Sequence, residues 1–191
     1  MGDSFKIAVA AALSELGLRV VDGPHPRADL LVSDGTRLGA VEAKGLEGSA
    51  RENNLRQAER WTAEVRSAVS STPERRAADP DLPRYAEQIE KLGIPVTQDA
   101  PPDCKDIMVI GTYRNTPLDE RKEDDFPDAM ARKIPGAGVC ALTGVDLFVL
   151  LMSARNDPAL KGEIITRLFE TNGRFKMTTN WRAHLTRQAA E

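Results

Sequence analysis

Apolar residues recur at three- and four-residue spacing over 4–16, where Phe5, Val9, Leu13 and Leu16 share one face. They do so again over 51–69, through Leu55, Ala58, Trp61, Val65 and Val69. That spacing predicts two amphipathic helices. Alanine enrichment favours the first, with Asp3 or Ser4 as its cap and Gly17 as its stop. Between them, short apolar runs bounded by turn residues predict three strands: Leu18–Val21, Ala28–Ser33 and Leu38–Lys44. Gly23-Pro24-His25-Pro26 separates the first two, and the hairpin signal Asp34-Gly35 joins the second to the third. A loop over Gly45–Ser49 then leads into the second helix.

Beyond residue 70 the pattern weakens. Prolines at 73, 80, 83, 95, 101 and 102 interrupt it. An insertion or long surface excursion is expected over about 70–106, with one short helix near Arg84–Leu92. Ile107–Thr112 and Val139–Thr143 predict two further strands, 113–128 a charged loop, and Val145–Ala154 and Pro158–Glu170 two helices. The order predicts an α/β sandwich: a central mixed β-sheet flanked by helices, in a single domain over 1–191.

Aromatic residues make up only 5 % of the chain against 41 % hydrophobic, so Leu, Val, Ile and Ala must fill the core. Two cysteines, Cys104 and Cys140, cannot build a disulfide framework. With no leader-like start and no apolar run of bilayer length, a cytoplasmic location without membrane association is expected. The net charge of -3 hides an uneven distribution. Residues 79–128 carry 13 acids and 6 bases, a net of -7, whereas 161–191 carry 6 bases and 3 acids, a net of +3. The acidic excess is therefore local and leaves room for a basic surface elsewhere.

Asp29, Glu42 and Lys44 carry the candidate chemistry. Asp29 falls in the second predicted strand and Glu42 in the third, and the turn at Asp34-Gly35 pairs those strands. Side chains alternate along a strand, so Glu42 and Lys44 share one face while Val41 and Ala43 point into the core. Mg²⁺ takes oxygen ligands and commonly binds through one or two carboxylates with water and substrate phosphate. Asp29, Glu42 and the backbone carbonyl of Ala43 could supply such a site for Mg²⁺ or Mn²⁺. Lys44 would add a compact positive charge beside the phosphate. The reaction suited to this set is hydrolysis of a phosphodiester.

Asp29 followed by Glu42-Ala43-Lys44 resembles the D…(D/E)-x-K motif of the PD-(D/E)XK nucleases, the restriction-endonuclease-like superfamily. The expected element order is similar to theirs as well. Gln57-Ala58-Glu59-Arg60-Trp61 is similar to the Q-x-x-x-Y motif of RecB-like nucleases, with Trp in place of Tyr. The resemblance implies a metal-dependent nuclease acting on DNA, in restriction, defence or repair, with Gln57 orienting a ligand or contacting phosphate. Two features depart from the pattern. The strand reads Pro26-Arg27-Ala28-Asp29 rather than adjacent Pro-Asp, and Glu15 is the only acid in the first helix that could match a further metal ligand.

DNA needs cations along its backbone. Arg51 and Arg56, near the start of the helix after the motif strand, are the expected contacts, with Arg174, Lys176, Arg182 and Arg187 of the tail as an auxiliary clamp. A second reading is a catalytically silent nuclease-fold subunit that binds nucleic acid or a protein partner; the acidic middle segment favours a partner, and a homodimer is compatible with either reading. His25 and His184 lack partners at zinc spacing, and no phosphate-binding G-x-x-x-x-G-K-[ST] loop occurs.

Overall fold

The computed structural model describes residues 2–24, 28–79, 82–94, 103–112, 115–117, 120 and 124–175. His25, Pro26, Arg27 and the tail bases Lys176, Arg182 and Arg187 lie outside the described residues, as do Trp181 and His184. The chain is α/β. Its elements run α1 (Gly2–Leu16), β1 (Arg19–Asp22), β2 (Leu30–Ser33), β3 (Leu38–Gly45), α2 (Glu52–Ser70), α3 (Pro73–Ala78), α4 (Leu82–Lys91), β4 (Cys104–Gly111), α5 (Asp128–Ala131), β5 (Cys140–Thr143), α6 (Gly144–Asn156), α7 (Leu160–Glu170) and β6 (Gly173–Arg174).

The six strands form one mixed sheet in the order β1-β2-β3-β4-β5-β6. β1, β2 and β3 make an antiparallel meander, and β4, β5 and β6 continue it parallel to β3. Gly17 ends α1 at φ +110 and Gly35 turns the β2–β3 hairpin at φ +102, left-handed conformations that glycine adopts without steric cost.

The two sheet faces are covered differently. Leu30, Val32, Val41, Ala43, Ile107, Val109 and Leu142 point to one face and pack with α1, α6 and α7 into a single apolar core. The other face carries two separate clusters under α2 and α4. One gathers Leu31, Leu38, Ala40 and Cys104 around Trp61, Val65, Tyr85 and Ile89. The second joins Met108, Ile110 and Ala141 to Leu55, Ala58 and Phe126.

Several boundaries differ from the sequence expectation. Residues expected to form a surface excursion with one short helix form two helices over their described part. Leu82, Tyr85, Ile89 and Leu92 are buried against α2 and the meander. Of the six prolines that suggested interruption, the two described stand at helix starts: Pro73 opens α3 behind the Thr72 cap, and Pro83 lies in the first turn of α4, where no backbone donor is lost; Pro80, Pro95, Pro101 and Pro102 lie outside the described residues. β4 begins three residues earlier than expected, at Cys104, which brings Asp106 into the sheet. No helix among the described residues is long and apolar enough to cross a membrane.

Candidate active site

The β2–β3 register pairs Leu30 with Val41 and Leu31 with Ala40. One step further along the same register sets Asp29 opposite Glu42. Asp29 lies at the bend just before β2 rather than inside it. Directly opposed residues share a face. Leu30 and Val41 face α1, so Asp29 and Glu42 face α2. The Asp29 carboxylate is tied down where the ladder ends: its Oδ2 accepts the Ala43 backbone N–H at 2.9 Å, and its own carbonyl accepts the Gly23 N–H at 3.1 Å. A strand residue presents N–H and C=O to the same edge, so the Ala43 carbonyl also points toward Asp29.

Glu42 is buried, with no exposed side-chain surface. The Trp61 indole N–H of α2 donates to its Oε2 at 2.9 Å. The Lys44 ammonium stands 3.0 Å from its Oε1 and 3.5 Å from Asp29 Oδ2. Thus one cation already bridges the two carboxylates. The bridge to Glu42 is an ion pair without hydrogen-bond angle, because Oε1 has no hydrogen-bond partner among the described residues. Burial, and then the Asp29 charge, raise the Glu42 carboxyl above its ordinary range, while Lys44 and the indole N–H pull it back. Burial alone would lower the Lys44 ammonium, but its contacts with Glu42 and Asp29 outweigh burial and hold it above its ordinary value.

A polar seam continues from Glu42 across the same face. On β4, Asp106 is paired with Ala40, next to the Glu42–Met108 pair, and is buried. Thr62, adjacent to Trp61 on α2, is buried too. Glu42 Oε1, Thr62 Oγ1 and Asp106 Oδ1 are the buried side-chain oxygens without a hydrogen-bond partner among the described residues. Burial pushes the Asp106 carboxyl up to about 6, against the pull of the Arg66 and Lys105 charges.

The expected residues fall into two groups. Asp29, Glu42, Lys44 and the Ala43 backbone come together. Gln57 lies one turn before Trp61 on α2, half-buried, and its side chain forms no hydrogen bond with any described residue. Arg51 and Arg56 are exposed at the start of α2. Arg56 pairs with Glu52 at 2.9 Å, and Glu52 also takes Lys133 at 2.8 Å. Arg51 forms no ion pair among the described residues; its backbone N–H is held by Asn54 Oδ1 at 2.9 Å. Glu15 is spent elsewhere, on Arg155 at 2.5 and 2.8 Å. The sequence reading passed over Asp106, although its alternation with Met108 and Ile110 carried the signal, and it gave Trp61 a place in the helix stripe and in the Q-x-x-x-Y-like motif but no contact with Glu42.

The donor set suits one hard divalent cation. Buried Oε1 lacks a hydrogen bond, the Lys44 ammonium already stands where a cation is attracted, and the ligands are oxygens. Asp29, Glu42 and the Ala43 carbonyl would hold it. No group of three or more His, Cys, Asp or Glu side chains arranged to hold a metal occurs among the described residues. Comparison of the chain with protein-family models, with curated proteins and with solved structures finds no match in any of the three.

Proposed function

We propose that this chain is a metal-dependent nuclease of the PD-(D/E)XK kind, hydrolysing DNA phosphodiesters with Mg²⁺ or Mn²⁺. The observation that carries the reading is the convergence of Asp29 and Glu42, from neighbouring strands, on the ammonium of Lys44. Buried charge is costly, and nothing in the packing of β3 demands it. The restriction-endonuclease-like arrangement is part of the proposal. It is supported by the order α1-β1-β2-β3-α2-β4, with an antiparallel meander and β4 parallel to β3.

A bound divalent cation would polarise the scissile phosphate and acidify a water. The chain supplies the rest. Asp29 is pinned by the Ala43 N–H and Glu42 by the Trp61 N–H, so both carboxylates are oriented before any ligand arrives. Lys44, one third exposed, is free to swing from the carboxylates to the phosphate, where its charge would stabilise the transition state. Gln57 would approach the phosphate from α2. Arg51 and the N-terminal end of α2 would meet the DNA backbone. The setting proposed is cytoplasmic, in restriction, defence or repair.

Incubation of supercoiled plasmid with the full chain and Mg²⁺ or Mn²⁺ tests the reading. Cutting that EDTA abolishes is expected. DNA binding without cutting under every metal condition would favour the silent-subunit reading, and cutting that persists in EDTA would reject metal dependence.

A further inference from the structure

Each carboxylate of the candidate site has one oxygen already engaged by a fixed protein donor. Asp29 Oδ2 accepts the Ala43 backbone N–H at 2.9 Å. Glu42 Oε2 accepts the Trp61 indole N–H at 2.9 Å, inside the protein. The oxygen of Glu42 left without a hydrogen bond is Oε1, the one the Lys44 ammonium reaches at 3.0 Å.

We propose that Trp61 sets the metal affinity of this site: by holding Oε2 it fixes the Glu42 carboxylate and turns Oε1 toward Lys44 and Asp29, where an ion would sit. Trp61 is thus a positioning residue acting through Glu42. Its indole is also buried against Ala28, Leu31, Val65 and Tyr85, so the donor cannot swing away, and the Glu42 carboxylate is fixed from behind. The inference rests on the metal-site reading above but not on cleavage.

Calorimetric titration of the full chain with Mn²⁺ is the test, beside the Trp61 indole N–H resonance of metal-free protein. Wild type is expected to bind Mn²⁺, and the indole resonance to move in Glu42→Gln, which replaces a charged acceptor by a neutral one. Trp61→Phe keeps an aromatic core residue but deletes the donor. It should weaken Mn²⁺ binding about ten- to hundredfold, as loss of an orienting partner does. A role in packing alone would lower stability and leave the affinity of the folded fraction unchanged, which would overturn the proposal. An indole resonance that ignores Glu42→Gln would refute the hydrogen bond without any need for Trp61→Phe to fold. Absence of all Mn²⁺ binding would reject both readings.

Discussion

β3 presents two opposite environments one residue apart. Val41 and Ala43 enter an unbroken apolar core with α1, α6 and α7. Glu42 and Lys44 enter the face under α2, where the apolar packing splits into two clusters. The split follows the polar residues. On β4, Asp106 lies between Cys104 of one cluster and Met108 of the other, and on α2 Thr62 follows Ala58 and Trp61. One face is built for stability. The other gives up apolar continuity for buried oxygens: Thr62 Oγ1 and Asp106 Oδ1 lack hydrogen bonds among the described residues, and Glu42 Oε1 is met only by the Lys44 ammonium. Leaving such groups unsatisfied costs on the order of 1–3 kcal/mol each, so a fold retains them where they have a use.

Truncation on the apolar face should produce the largest loss of stability. Leu30→Ala, next in sequence to Asp29 but on the opposite face, should cost about 2–5 kcal/mol in chemical denaturation. A loss below about 1 kcal/mol would mean that the two faces are not distinct.

The seam should behave in the opposite way. Asp106 binds its proton more tightly folded than unfolded, because its carboxyl is raised from 3.8 to about 6. Its contribution is therefore most favourable below pH 4 and is lost as pH rises through 6. Asp106→Asn should gain on the order of 1–3 kcal/mol at pH 8 relative to wild type, and the gain should vanish near pH 4. A pH-independent difference between the two proteins would contradict this origin.

Lys44 sharpens the contrast further. Its ammonium bridges both carboxylates, so a metal ion must displace it. Lys44→Met should bind Mn²⁺ a few-fold more tightly by calorimetry, as expected from losing a partly exposed ion pair of up to about 1 kcal/mol. Weaker binding would mean that Lys44 supports the ion rather than competing with it. The smallest effect is expected at the helix start. Arg56 is already paired with Glu52, so Arg51→Glu should weaken DNA binding more than Arg56→Glu, each by several-fold, with a flatter dependence on salt. Equal and unchanged affinities would place the DNA elsewhere.

Much of this was legible in the sequence. Apolar periodicity located α1 and α2, and the Asp34-Gly35 turn paired the strand that Asp29 precedes with the strand that carries Glu42. Alternation alone assigned Val41 and Ala43 to one face and Glu42 and Lys44 to the other. What escaped depends on contacts between distant segments. Residues 70–94 looked broken because prolines at helix starts resemble prolines in loops; only the burial of Tyr85 and Ile89 against α2 distinguishes them. Trp61 fits an amphipathic stripe whether or not its N–H finds an acceptor, and the hydrogen bond to Glu42 spans 19 residues. The convergence of Asp29, Glu42 and the Lys44 ammonium was itself expected from the paired strands; what spacing does not encode is that the ammonium bridges both carboxylates, at 3.0 and 3.5 Å.

The central claim is that the charged face of β3 was kept for catalysis, and Glu42→Gln tests it most directly. Gln preserves the shape of Glu and can still accept the Trp61 N–H, but it lacks the charge. The account predicts that a cooperatively folded Glu42→Gln protein nicks supercoiled plasmid at least about a hundredfold more slowly than wild type in Mg²⁺. Cleavage at the wild-type rate by that folded variant would contradict it.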